Sequence, residues 1–249
     1  MTDVAFGDRA AYLGRHDALG EASAVTLPLG EREDLVGRLA GLAARFDPAT
    51  VIVAGDVVHT FDRVSDRSLG TLAALRDACE ANGAALELVA GNHDTALADA
   101  WDEPVHGEYV LGERRDRGDA PTGGDPSDHD DTAPRTVVCH GHEVPSTAAD
   151  RYVIGHVHPT IEIEGDRRPC FLRGKETYRG ADLLALPAFT RLAPGVPVNG
   201  MGPGAFDSPL VPDADRLAPV VVDPNAGVEE GDAGEPLRFP PLGAFRELL

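Results

Sequence analysis

Four apolar runs in this chain stop on a glycine, or just before one, and then on side chains that bind metals or carry protons. They are "VIVAGD" (51–56), "LVAGNHD" (88–94), "VVCHGHE" (137–143) and "VIGHVHP" (153–159). An apolar run without polar alternation reads as a strand buried on both faces, as in a parallel sheet. Such sheets collect ligands where strands end at the carboxyl edge. A carboxylate (Asp56), an amide (Asn92) and imidazoles (His93, His140, His156, His158) are therefore placed where a metal site would form.

The rest of the pattern supports an α/β reading. Residues 31–46 put Leu35, Leu39, Leu42, Ala43 and Phe46 on one helical face, and a second helix is predicted at about 66–82. Between and after them lie the strands 50–54 and 86–90, which makes βαβ units. From Tyr109 the rhythm becomes strand after strand: 109–111, 136–139, 152–155, 160–164, 182–186 and 219–223. An α/β half followed by a β-rich half predicts two sheets packed face to face with helices outside. Residues 112–134 and 223–236 are rich in Gly, Pro and acids and read as solvated loops, and 193–212 as a long Pro/Gly-rich segment.

Each motif has a plainer reading when taken alone. Asp56 would serve equally as a helix cap, and "GNHD" as a turn built from Gly, Asn and Asp. His156 and His158 are two apart, so an extended chain would present both to one face. It is the recurrence of all four segments that argues against chance.

The ordered set GD, GNHD, HGH and GHxHP resembles the calcineurin-like metallophosphoesterases. Finer stretches, "LPLGERED", "RPCFLRG" (168–174) and "LPAF" (186–189), resemble the archaeal SbcD-related phosphoesterase branch. The resemblance implies a four-layer α/β-β/α sandwich of two mixed sheets flanked by helices, a single domain over 1–222, and an acidic linker and tail at 223–249. It also implies a site for two divalent metals and hydrolysis of phosphodiesters. Asp56 would bridge the metals, with Asn92, His140 and His156 completing the second and His158 binding the first. His93 would protonate the leaving oxygen, steadied by Asp94. Mixed N/O ligands favour manganese, iron or zinc over magnesium. The tie to double-strand-break-repair nucleases suggests nucleic acid as a substrate by analogy alone.

The family also carries an N-terminal D-x-H for the first metal, and no D-x-H precedes Asp56 here. No convincing buried first strand precedes it either. "AAYLGR" (10–15) stands where the motif would be, or a short deletion has removed it. Asp8, His16 and Asp17 are candidate substitutes, each read first as a surface residue. A complete second-metal site and a damaged first-metal site are expected. A catalytically weak binding or regulatory module on the same fold is the competing function. His59, His142 and Glu143 are further residues near the motifs, Arg173 and Lys175 read as solvated loop charges, and His106 and His129 as exposed.

Composition sets the remaining bounds. At 249 residues the chain can bury a substantial core. Forty-two acidic against 22 basic residues give a formal net charge of −20. That acid-rich, lysine-poor balance resembles proteins of salt-accumulating halophiles, whose cytoplasm screens such charge strongly. It argues only weakly against a polyanionic substrate. The odd, scattered cysteines (Cys79, Cys139, Cys170) predict buried reduced thiols rather than disulfides. No stretch approaches the roughly 18 apolar residues of a membrane span, and no signal-peptide pattern opens the chain, so a cytoplasmic location is expected.

Overall fold

The structure, a computed structural model, describes residues 10–13, 31–57, 64–111, 134–191, 193–222 and 236–246. Asp8, His16, Asp17, His59 and His129 lie outside them, as do nearly all of 112–134 and 223–236. The first half runs β1 (Ala10–Leu13), α1 (Glu31–Phe46), β2 (Thr50–Ala54), α2 (Asp66–Ala81), β3 (Ala85–Val89), α3 (Leu97–Ala100) and β4 (Val105–His106). These strands form one parallel sheet in the order β1-β2-β3-β4. The second half is β5 (Glu108–Leu111), β6 (Thr136–Cys139), β7 (Arg151–Ile154), β8 (Pro159–Ile163), β9 (Asp166–Pro169), β10 (Phe171–Tyr178), β11 (Ala181–Ala185), β12 (Val196–Pro197), β13 (Ala218–Val221), β14 (Leu237–Arg238) and α4 (Leu242–Arg246). Seven of these strands build a mixed sheet, β14-β13-β10-β11-β7-β6-β5, and β12-β8-β9 form a small third sheet.

Side-chain alternation explains the layering. Val51 and Val53 of β2 and Leu86 and Leu88 of β3 face Leu35 and Leu39 of α1 and Leu72, Leu75 and Cys79 of α2. The i, i+4 spacing of Leu35 and Leu39 gives α1 its apolar stripe, and Ser65 starts α2 by accepting the Ser68 N–H (3.1 Å). Ile52, Ala54 and Val89 point the opposite way and meet Val138, Val153, Leu184 and Leu186 of the second sheet. The two sheets thus pack face to face. Fully buried side chains such as Ile52 and Leu88 each contribute about 1.5–3 kcal/mol.

The mixed α/β sandwich is the expected fold class. Over the outer face of the second sheet, the fourth layer among the described residues consists of the β8–β9 hairpin, the chain from Val198 to Leu217 and α4. Proline and glycine through 193–212 keep that chain from running as a long helix.

Four other expectations change. A first strand exists: β1 pairs in parallel with β2 from Ala10↔Thr50 to Leu13↔Val53. Arg173 and Lys175 are strand residues of β10, exposed on its surface, not loop charges. The end of the stretch read as a tail is tied to the fold, because β14 pairs with β13 and Leu242 is fully buried. His106 is also only half-buried rather than exposed, and its Nε2 lies 3.1 Å from the buried Glu87 carboxylate. No helix among the described residues is long and apolar enough to cross a membrane.

Candidate metal centre

The four motif segments meet where β2 and β3 of one sheet face β6 and β7 of the other. Asp56 follows β2 by two residues and holds a left-handed backbone (φ 53°), reached through Gly55 (φ 88°). A non-glycine residue adopts that conformation at a cost of about 1–3 kcal/mol unless its surroundings hold it. His140 follows β6 directly, and its carbonyl accepts the N–H groups of Gly155 (3.0 Å) and His156 (2.9 Å). That pairing carries the ladder past the end of β7 and brings the two histidines side by side.

Chemistry decides what this cluster is for. His140 Nδ1 lies 2.9 Å from the Ala54 carbonyl oxygen, which can only accept, so Nδ1 carries the proton. In the neutral ring, Nε2 is then a bare lone pair. It faces His156 Nδ1 at 3.0 Å, Asn92 Oδ1 at 3.1 Å and Asp56 Oδ2 at 3.4 Å. One ligand atom each from Asp56, His140 and His156 lie within 4.8 Å of one another. Asp56 and His140 are each 1 % exposed, while Asn92 and His156 are half-buried, so at the floor of the cluster little water can relieve this crowd of electron pairs. A divalent cation would, and a carboxylate, an amide oxygen and two imidazoles suit one as donors.

His156 is held neutral: burial, then the neighbouring His140, lowers it to about 4, against an opposing pull from Asp56. His142 is lowered by the same two causes, its ring centroid 5.2 Å from that of His140. Its Nε2 is 3.5 Å from the exposed Glu143 carboxylate. Burial pushes Cys139, next to His140, up to about 12, so without a metal it stays a thiol; Cys79 and Cys170 behave alike.

The "GNHD" turn is laced to the Asp56 turn. The His93 N–H donates to Asp56 Oδ1 (3.0 Å), and Asp94 Oδ2 accepts from Val57 N–H (3.1 Å) and Gly91 N–H (2.8 Å). His158 is buried in the turn after Gly155, with φ 37°, and its carbonyl accepts the Val196 N–H (2.8 Å). It is not one of the three side chains whose ligand atoms converge within 4.8 Å.

Sequence reasoning passed over one support of the site. The Ser208 hydroxyl donates to the Gly141 carbonyl (2.6 Å), and the His156 ring hydrogen-bonds the backbone of Asp207. Both lie in the Pro/Gly-rich segment, whose turn residues carry no sign of the contact.

No family model matches the chain, and a search of curated proteins returns no match. Among solved structures, a crystal structure of Pseudomonas putida nuclease MPE is similar at 22% identity, with 85% of this chain and 82% of that chain covered and a TM-score of 0.46. YfcE, a phosphoesterase from E. coli, is similar at 12% identity, with 93% and 100% covered and a TM-score of 0.43.

Proposed function

We propose that this protein is a metal-dependent phosphoesterase that hydrolyses phosphodiesters, with nucleotides or nucleic acid as the substrate class. The observation that carries the proposal is the convergence of Asp56, Asn92 and His156 on His140 Nε2, whose lone pair is fixed by the Nδ1–H bond to Ala54. Asp56, Asn92, His140 and His156 would hold a divalent cation, and His158 contributes to a second position that also uses Asp56. Such a cation lowers the pKa of bound water and offsets charge on phosphoryl oxygens. His93 is held beside the centre through its own N–H bond to Asp56, and its imidazole protonates the leaving oxygen. Manganese is the probe of choice, since mixed N/O donors suit it.

The test is turnover of bis-(p-nitrophenyl) phosphate with Mn²⁺. Clear turnover in the wild type is expected, with a loss of about 10²–10⁴-fold in His93→Ala, the usual weight of a general acid. Turnover unchanged by His93→Ala would sink the assignment of the acid. A second reading, a binding or regulatory module with little activity, is favoured by the absence of D-x-H before Asp56. Metal bound by the wild type without turnover would establish that reading instead.

A further inference from the structure

The reciprocal lacing of two turns gives Asp94 a task that its neighbourhood to His93 does not suggest. Asp94 is buried (3 % exposed), and one oxygen of its carboxylate receives two backbone N–H groups. One comes from Gly91, in its own turn. The other comes from Val57, the residue after Asp56 and on the other loop. A carboxylate that accepts two amides in a site of low dielectric makes strong, charge-assisted bonds. Here they grip the chain immediately beyond a residue in the left-handed region, where the backbone would otherwise relax toward a commoner conformation. The His93 N–H holds Oδ1 of Asp56 from the same side, which leaves Oδ2 directed at His140.

We propose that Asp94 is a positioning residue for the metal donor set: it clamps the strained Asp56 turn, so its loss weakens metal binding, a role distinct from the steadying of His93 expected of it from the sequence. The inference rests on the metal reading above and deepens it. Supporting groups of this kind are worth about 10–100-fold in metal affinity. Linkage supplies a reciprocal consequence. If the clamped turn favours the cation, the bound cation must favour the clamped turn by the same factor.

The full chain is titrated with Mn²⁺ by calorimetry as wild type, Asp94→Asn and Asp94→Ala. A dissociation constant about 10–100-fold weaker is expected for Asp94→Ala, with Asp94→Asn between it and the wild type because one acceptor oxygen remains. At saturating Mn²⁺ the pH profile of phosphodiester hydrolysis reports separately on the steadying of His93. Wild-type affinity in Asp94→Ala, or a displaced pH profile with unchanged affinity, overturns the inference and leaves the metal reading standing. A wild type that binds no Mn²⁺ overturns both. Should the variants fail to fold, amide hydrogen exchange on the wild type decides the matter. Protection of the Val57 and Gly91 amides should rise when Mn²⁺ is added, and unchanged protection there refutes the clamp.

Discussion

Gly91 is needed for closeness rather than for its own backbone freedom. A Cβ built there would overlap the Asp56 carboxylate oxygen and the Asp56 backbone nitrogen, and the backbone atom cannot swing aside. Gly55 faces the His140 ring in the same way, and Gly155 the Ala54 carbonyl oxygen. Gly91→Ala is therefore expected to destabilise the fold by about 1–3 kcal/mol, read from urea melts, and to weaken Mn²⁺ binding as Asp56 is displaced. Stability and affinity both unchanged would contradict the packing. That Asp56, His140 and His156 come together was legible in the sequence, because each follows an apolar run and strand ends are where a parallel sheet gathers ligands. The Nδ1–H bond from His140 to Ala54 was not, since it joins residues 86 apart and depends on how the two sheets meet. The two amides held by Asp94 were hidden for the same reason, as the Val57 amide lies 37 residues away.

At the scale of elements, the loop between β6 and β7 is anchored at Glu108 on β5. That carboxylate accepts the N–H groups and the hydroxyls of both Ser146 and Thr147. Burial pushes the Glu108 carboxyl up, but the hydrogen bonds from Ser146 and Thr147 outweigh it and hold the group below its usual value. A carboxylate depressed in the folded state stabilises the protein above its unfolded pKa and loses that effect as pH falls through the folded value. Glu108→Gln should cost about 1 kcal/mol at neutral pH, and the gap to wild type should narrow at an acid pH below the ordinary carboxylate range. Urea melts at the two pH values check this, and a gap independent of pH would argue against it. The loop carries His140 and His142, so metal affinity is a second readout. Elements with apolar runs were found at nearly their true limits, β2 and β6 among them. The strand β9, "DRRP", was missed because all four residues are exposed and give no alternation to read. The short pair β14 was missed too, since its two exposed residues pair only with β13.

For the whole molecule, the decisive fact is that the candidate donors are divided between the sheets. Asp56 and Asn92 come from the first, His140 and His156 from the second, and the apolar seam of Ile52, Ala54, Val89, Val138 and Val153 lies between. The expectation of two sheets packed face to face came from an α/β half followed by a β-rich half, and that order was visible. The make-up of the fourth layer was not, because Pro and Gly mark where helices stop but do not say what replaces them. Leu111 and Thr136 are register partners on neighbouring antiparallel strands, so the stretch joining them begins and ends at one place. Severing the chain there would yield two polypeptides, each holding half of the proposed donor set. Neither piece alone offers more than two of the four donors. A divalent cation would then act as the ligand of a two-part assembly, and its concentration would set how much of the whole exists. Co-expressed halves should remain together through gel filtration in Mn²⁺ and separate more readily in chelator. Equal retention in both buffers would mean that the apolar seam alone holds them, and that the four donors share no cation.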